Sequence, residues 1–201
     1  MRKGIFESSH PHQVYFEETL EQSLNHVLCE LKELNILVAT NTSLADSAAM
    51  QRIKNILKPQ NVIICTGLKA HSPRNDVIKV SKILRENNIN IPLGLGGGSV
   101  CDALKVANIG ATNGFNCIED IDQLKEEKQF RPPQSKLIAL PTTLSAGEFT
   151  CFAGITDERV PAKEVFFNKQ LPPSVIILDP WLTLDTPNRL FFGTGVRAID
   201  H

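Results

Sequence analysis

A run of glycines is the part of this sequence whose residue types and spacing are best suited to chemistry. Residues 94–102 read Gly-Leu-Gly-Gly-Gly-Ser-Val-Cys-Asp and follow an apolar stretch. If a helix begins here, its first N–H groups are unpaired and lie at the positive end of the helix dipole, which favours a bound phosphate. Glycines also let the backbone approach a ligand closely and adopt a positive φ, and Gly96, Gly97 and Gly98 are expected to supply this freedom. Since the run is not G-x-G-x-x-G, a plain tight turn is the alternative interpretation.

Two polar residues after the glycines suit the start of that helix. Ser99 stands where an N-cap is expected, and Asp102 lies three residues later, as in a capping box. The predicted helix therefore begins at the glycine run.

A second polar turn lies at residues 141–150, Pro-Thr-Thr-Leu-Ser-Ala-Gly-Glu-Phe-Thr. It follows an apolar strand-like segment, and loops at the carboxyl ends of strands line the ligand crevice of an open α/β sheet. The hydroxyls of Thr142, Thr143 and Ser145 could bind a phosphate or a ribose. Alternatively, they cap their own backbone turn.

Strand-like and helix-like segments alternate along the chain, which is typical of a doubly wound, mostly parallel sheet with helices on both faces. The predicted strands are 13–16, 36–40, 61–65, 91–95, 136–140, 149–156 and 174–178. The predicted helices are 17–34, 44–57, 76–86 and 99–109. We therefore expect an α/β, Rossmann-like domain over residues 1–192. Residues 193–201 then begin a further helix.

Composition excludes several classes of function. The 201 residues carry a net charge of −1 without a basic stripe, so nucleic acid is not expected as a partner. The apolar runs are too short to cross a membrane, and the N-terminus lacks the apolar core of a signal peptide. The five cysteines are widely spaced, which predicts reduced thiols and a cytoplasmic protein.

Four motifs occur together in an order that resembles the iron-containing alcohol dehydrogenase family, which has the dehydroquinate synthase-like fold. They lie at residues 96–105, 140–148, 175–183 and 193–201. The form of residues 142–148, together with Ala-His-Ser-Pro at 70–73, is most similar to the maleylacetate reductase branch. The resemblance implies hydride transfer between NAD(P) and a small alcohol, carbonyl or maleylacetate-like acid.

The resemblance also implies roles for individual residues. The glycine turn would hold the cofactor pyrophosphate, the 142–145 turn the phosphate and nicotinamide side, and the 178–183 segment the adenosine. The implied cofactor-binding residues are Asn41, His71, Gly97, Gly98, Ser99, Asp102, Thr142, Thr143, Ser145, Lys163, Leu178 and Thr183. Asn41 stands where many NAD-preferring members have a ribose-binding aspartate. Because an amide does not repel a 2′-phosphate, we expect NADP to be tolerated.

The metal motif departs from the family pattern. His201 matches a metal-binding histidine, but Arg197 occupies the position of the aspartate four residues before it. A guanidinium cannot ligate a cation, so we expect no iron or zinc site of the usual kind. Arg197 could bind a substrate carboxylate instead, with an ordinary surface ion pair as the alternative. His201 would then act as a proton donor.

Length is the second departure, since full members are about twice as long and have a helical C-terminal domain that completes the cleft. The leading hypothesis remains an oxidoreductase acting on a small molecule. The alternative is a truncated, inactive remnant that binds nucleotide and exposes an apolar face, which would favour a homodimer. A lyase of the dehydroquinate synthase type is disfavoured because the sequence has no basic phosphate cluster.

Overall fold

The computed structural model describes residues 13–29, 31, 34–58, 60–126, 129–160 and 162–200, and for residues 197–200 the backbone alone. Six parallel strands form the main sheet, in the order β1-β8-β5-β4-β2-β3, and two antiparallel strands form a separate hairpin. The strands are β1 Gln13–Phe16, β2 Asn35–Thr40, β3 Asn61–Cys65, β4 Ile91–Gly96, β5 Ile138–Pro141, β6 Phe152–Asp157, β7 Ala162–Phe167 and β8 Val175–Leu178. The predicted doubly wound α/β sheet is thus confirmed.

Five α-helices of the described residues accompany these strands. They are α1 Leu20–Cys29, α2 Ala48–Leu57, α3 Arg74–Glu86, α4 Gly98–Asn113 and α5 Asn188–Asp200. Short 3₁₀ segments lie at Thr42–Leu44, Ile118–Lys125, Gly147–Phe149 and Pro180–Thr183. Helix α4 ends at Gly114, which adopts the left-handed conformation with φ 80°.

The central strands bury both faces because their residues alternate between two cores. In β2, Leu37 and Ala39 pack with α3 and α4, whereas Ile36 and Val38 pack with α1 and α2. In β4 the face toward α4 carries glycine. A Cβ at Gly94 would lie 2.4 Å from Leu104 Cδ1, so this glycine lets the helix pack directly against the strand.

Side-chain caps determine where two of the predicted helices begin. The predicted 17–34 helix begins only at Leu20, because Glu17 has a positive φ of 60° and Thr19 Oγ1 accepts the Gln22 N–H at 3.3 Å. Asp179 also accepts the Leu20 N–H at 3.1 Å and an N–H of Arg52 at 3.0 Å. The predicted 44–57 helix is interrupted because Ser47 Oγ accepts the Met50 N–H and starts α2 one residue later. Asp179 therefore ties both helices to the end of β8.

Other predicted bounds shift as well. Helix α3 begins two residues before the predicted position, and the final helix begins at Asn188 instead of residue 193. The strand predicted at 149–156 is β6, which begins three residues later because a 3₁₀ turn precedes it. No strand was predicted at residues 162–167, where β7 lies. Trp181, in the 3₁₀ segment after β8, is 68% exposed.

Candidate functional site

An open cleft of about 970 Å³ lies at the carboxyl ends of the parallel strands. After β2 the chain adds β3 on one side of the sheet, and then β4, β5 and β8 on the other. The order therefore reverses between β2 and β4, which is where open α/β sheets bind ligands. Asn41 follows β2 and Gly97 follows β4, and both line the cleft.

The glycine turn faces a second turn across the floor of this cleft, residues 142–145, which carries the hydroxyls of Thr143 and Ser145 and is called the hydroxyl turn below. A Cβ on Gly97 would lie 3.0 Å from Thr143 Oγ1, and a Cβ on Gly98 would lie 3.1 Å from Ser145 Oγ. Side chains at either glycine would fill the space in front of the helix. The first intrahelical bond is donated by Val100 N–H to the Gly97 carbonyl, which leaves the Gly98 and Ser99 N–H groups ahead of it. Backbone N–H and hydroxyl groups thus converge on one small space.

Two details of the predicted glycine turn are wrong. Gly97, not Ser99, is the N-cap of α4, and its φ is −82°. None of Gly96, Gly97 and Gly98 has a positive φ. These glycines allow close packing instead, since a Cβ on Gly96 would also lie only 2.6 Å from Val100 Cγ2. Ser99 Oγ instead accepts the His71 N–H at 3.0 Å.

The segment that carries His71 is clamped between α4 and β6. His71 and Ser72 both have positive φ, 64° and 51°, which is unusual for residues with side chains. Ser72 Oγ donates to the Ser99 carbonyl at 2.7 Å, and Thr156 Oγ1 donates to the His71 carbonyl at 2.7 Å. Hydrogen bonds from both sides hold this conformation, and they keep His71 at the cleft edge.

Asn41 combines a structural bond with a free donor. Its Oδ1 accepts the Leu44 N–H and the Ser43 hydroxyl, each at 3.0 Å, and so caps the short 3₁₀ turn. This fixes the orientation of the side chain, because the oxygen is engaged on the turn. Its Nδ2 donates to none of the described residues, so an NH₂ group remains available at the cleft.

The hydroxyl turn is held from the other side by α5 and by the residues just before that helix. Thr186 Oγ1 donates to the Thr142 carbonyl at 2.6 Å, and Leu144 N–H donates to Thr194 Oγ1 at 3.1 Å. The Thr142 side chain is buried and does not line the cleft, whereas Thr143 and Ser145 do. Thr186, just before α5, and Thr194, in α5, thus fix the backbone of this turn at Thr142 and Leu144.

The β6–β7 hairpin supplies the remaining wall. Asp102 Oδ2 accepts the Gly154 N–H at 3.0 Å, and the Lys163 side chain lies over Gly154, with Cε 2.4 Å from a Cβ built there. Burial raises the pKa of Asp102 above its ordinary value, while the Lys105 ammonium, the Gly154 N–H and Lys163 oppose this rise. Asp102 and Lys163 bring opposite charges to the same wall.

The structure gathers most of the residues to which the resemblance assigns a cofactor role. Those that line the cleft are Asn41, His71, Gly97, Gly98, Ser99, Asp102, Thr143, Ser145 and Lys163. Leu178 and Thr183 do not line it; Thr183 Oγ1 donates to the Pro180 carbonyl at 2.7 Å. The Arg197 side chain and His201 lie outside the described residues. Their catalytic and metal roles therefore stay predictions.

Several cleft residues were not predicted from the sequence. Phe152 and Gly154 on β6 and Val165 on β7 line the cleft, as does Thr194 on α5. Residues 162–167, Ala-Lys-Glu-Val-Phe-Phe, do not alternate between polar and apolar side chains, so no pattern indicated a strand there. Thr194 had no signal either, because its contact with the hydroxyl turn spans 50 residues.

One acidic cluster outside the cleft has the spacing of a metal site. Oxygens of Asp122, Asp157 and Glu164 lie within 4.8 Å of one another. However, Arg74 is fully buried among them and contacts all three, and Lys125 and Arg159 add further ion pairs. The cluster is an ion-pair network that fastens the hairpin to α3.

Two broader expectations also concern the described residues. The five cysteines all lie within them and are free thiols, as predicted. No helix in the described part of the chain has the length and apolar character needed to cross a bilayer.

The chain is similar to known proteins both in sequence and in fold. Dehydrogenase ALT3 of Alternaria alternata is 31% identical over 173 residues, covering 84% of this chain and 45% of the relative. The chain spans less than half the length of the curated relatives it matches. Among solved structures, sulfoacetaldehyde reductase from Bifidobacterium kashiwanohense in complex with NAD⁺ superposes with a TM-score of 0.82 at 23% identity, over 96% of this chain and 51% of that one.

Of the predicted likeness to maleylacetate reductases, only the likeness in fold is supported. Maleylacetate reductase from Agrobacterium tumefaciens has a TM-score of 0.71 at 18% identity, over 99% of this chain and 49% of that one. By contrast, the sequence model described as iron-containing alcohol dehydrogenase matches residues 11–180, which is most of the chain. This chain therefore belongs to the iron-containing alcohol dehydrogenase family.

Proposed function

We infer that this chain is the nucleotide-binding half of an NAD(P)-dependent oxidoreductase that transfers hydride to or from a small alcohol or carbonyl compound. The observation that carries this inference is the cradle formed by Gly97 and Gly98 beneath the hydroxyls of Thr143 and Ser145. It lies at the N-terminus of a 16-residue helix, where backbone N–H groups and the helix dipole favour a pyrophosphate.

The two ends of the cleft carry groups that suit the two ends of a dinucleotide. On the β2 side, the free NH₂ of Asn41 suits a ribose hydroxyl or a 2′-phosphate. On the β5 side, the hydroxyl turn and the hairpin enclose an apolar surface with Phe152 and Val165, next to Lys163. The bound nicotinamide would supply or accept the hydride. The chain's own residues would orient its ring and exclude water from one face.

A metal is not part of this proposal. Of the two residues that the resemblance places at the metal position, Arg197 carries a cation and only His201 offers a ligand atom. Asp102 is the one carboxylate among the described cleft residues, and it is engaged with the Gly154 N–H. We propose that Arg197 and His201 act on the substrate directly, Arg197 by binding a carboxylate. An unchanged KM for a carboxylate substrate in Arg197→Ala would contradict that role.

Nucleotide titration tests the proposal. The 201-residue protein is titrated with NADH and NADPH by fluorescence, and reduction of short aldehydes and of maleylacetate is then assayed with and without Fe²⁺ or Zn²⁺. Gly98→Val, which fills the cradle, should abolish binding. Saturable binding to the parent protein but not to G98V supports a nucleotide site, and absence of binding to the parent contradicts it.

The same assay separates two forms of the function. The exposed apolar residues Leu190, Phe192 and Val196 of α5, at 51%, 64% and 66% exposure, favour the alternative of a nucleotide-binding remnant without turnover. Binding without turnover under any metal condition would support that alternative, whereas turnover without added metal would support the reductase.

A further inference from the structure

Lys105 is a buried lysine to which the resemblance assigns no role. It lies on α4, its side chain is 0% exposed, and its ammonium is surrounded by oxygen atoms. Nζ donates to the Phe152 carbonyl at 2.6 Å and to the Gly147 carbonyl at 2.7 Å, with Thr150 Oγ1 at 3.5 Å. Burying an ammonium costs so much free energy that it persists only with such partners.

The two carbonyls belong to the opposite ends of one irregular segment, residues 147–152. That segment links the hydroxyl turn to β6, and it follows Ala146, which has a positive φ of 56°. Its members Gly147, Phe149, Thr150 and Phe152 line the cleft. Thr150 also contacts both carbonyls: its N–H donates to the Gly147 carbonyl at 3.3 Å, and its Oγ1 lies 3.1 Å from that carbonyl and 3.2 Å from the Phe152 carbonyl. Lys105 adds a shorter, charged hydrogen bond to each carbonyl and so joins the two ends of the segment to α4.

One turn earlier on the same helix, Asp102 holds the next part of the wall. Its Oδ2 accepts the Gly154 N–H, and its Oδ1 lies 3.7 Å from the Lys105 ammonium. A Cβ on Gly147 would lie 3.7 Å from Asp102 Oδ1 and 3.9 Å from Gly98 Cα, so this wall packs directly onto the glycine turn. Helix α4 therefore carries the phosphate cradle at its start and the clamp on the opposite wall in its next turn.

Strand order tells which end of a bound dinucleotide this wall meets. The glycine turn follows β4, which lies between β2 and β5. With the adenosine ribose at Asn41 beyond β2, the chain from the pyrophosphate to the nicotinamide must run toward β5 and the hairpin. This direction rests on the function proposed above.

We propose that Lys105 is a positioning residue that holds the 147–152 segment against the glycine turn and so shapes the nicotinamide side of the cleft. It acts through the two carbonyls and through its contact with Asp102, and it does not itself line the cleft. ADP, which extends from Asn41 to the cradle, should be insensitive to Lys105, while NADH should depend on it.

Comparison of NADH and ADP affinities tests this role. In Lys105→Met, which keeps the length of the side chain but no donor, NADH affinity should fall about tenfold or more, because charge-assisted hydrogen bonds to two carbonyls are lost. ADP affinity should stay within about twofold of the parent. Lys105→Gln, which retains an NH₂ donor, should recover part of the NADH affinity.

Asn108→Ala is the matched control. Asn108 lies one turn further along α4, is 5% exposed, and bonds to Ser135 on the side away from the cleft. N108A should lower the melting temperature, but it should not change the ratio of NADH affinity to ADP affinity.

Each outcome is decisive. The positioning role would be overturned if K105M or K105Q lost NADH and ADP affinity equally, or if both variants lost ADP binding. Unchanged NADH affinity would overturn it as well. If the parent protein binds neither nucleotide, the proposed function fails, and this result is distinct from failure of the role of Lys105.

Discussion

Thr143 Oγ1 lies 3.0 Å from the point that a Cβ on Gly97 would occupy. The contact joins the end of β4 to the end of β5, two neighbouring strands of the sheet. It shows that Gly97 is required for space, since its φ of −82° is open to any residue. The floor of the cleft is thus two turns in van der Waals contact, with no room for a side chain between them.

Gly97→Ala should therefore damage nucleotide binding more than folding. The added methyl would lie 2.9 Å from Thr143 Cγ2, so the hydroxyl turn must shift away from the helix start. We expect NADH affinity to fall about tenfold or more, and the free energy of unfolding to fall by about 1–2 kcal/mol. Fluorescence titration and thermal melting measure the two quantities.

Gly193→Ala provides the same chemical change in open space. A Cβ on Gly193 has no atom within 4 Å, and the residue lies in α5. Alanine there should leave NADH affinity unchanged and raise stability slightly, by up to about 1 kcal/mol. Equal effects of G97A and G193A on affinity would show that the turn is not packed as described.

The sequence predicted the parts of this arrangement that depend on local patterns. The alternating apolar strands, the helix after the glycine run and the polar turn at 141–150 each carry their signal within about ten residues. Position along a parallel strand then places Asn41, Gly97 and Thr143 at one edge of the sheet. Nine of the twelve residues to which the resemblance assigned a cofactor role line the cleft.

The features that were not predicted depend mainly on contacts between residues that are distant in the sequence. Ser99 was expected to cap its own helix, but its hydroxyl accepts an N–H from His71, 28 residues away. Lys105 was indistinguishable from a surface lysine until its partners, 42 and 47 residues away, were placed around it. Strand β7 was missed because one of its faces is exposed beside the cleft, so it lacks an apolar core pattern.

Asn41→Asp should shift cofactor preference toward NADH. A carboxylate keeps both acceptor bonds, to the Leu44 N–H and the Ser43 hydroxyl, so the turn remains capped. It replaces the free NH₂ with a charge that repels a 2′-phosphate. We expect NADPH affinity to fall about tenfold or more while NADH affinity changes little.

Asn41→Ala distinguishes this charge effect from loss of the cap. It should cost about 1 kcal/mol of stability and weaken both nucleotides alike. A ratio of NADH to NADPH affinity that is the same in N41D as in the parent would place the 2′ position away from Asn41.

Arg74→Met should destabilise the fold through the hairpin. Arg74 is fully buried and donates hydrogen bonds to Asp122 and Glu164 and to the Ile118 carbonyl. Its removal leaves carboxylates facing one another, and breaking such a buried pair costs about 3 kcal/mol. Chemical denaturation measures this loss. Arg131→Met, an exposed arginine bonded to the Thr112 carbonyl, should cost well under about 1 kcal/mol.

The same network makes stability depend on pH. A hydrogen bond from Arg74 holds the pKa of Asp122 well below its ordinary value, and one from Arg159 lowers the pKa of Asp157 to about 2. Burial acts to raise the pKa of Glu164, but hydrogen bonds from Lys125 and Arg74 lower it overall. In the unfolded chain these carboxyls titrate near pH of about 4. The unfolded state therefore takes up protons first as the pH falls, and stability declines from about pH 5 toward about pH 2.

Arg74→Met should flatten this acid dependence. Without the guanidinium, the pKa values of Asp122 and Glu164 return toward their ordinary values. The unfolded and folded states then differ less in the number of protons they bind between about pH 5 and pH 2. Above about pH 5 all these carboxyls are ionised in both states, and the stability difference between R74M and the parent should be constant. Denaturation midpoints measured across this range for the parent, R74M and R131M test the expectation. Because R131M leaves the network intact, it should follow the parent curve; parallel curves for all three proteins would mean that Arg74 does not set the acidity of the cluster.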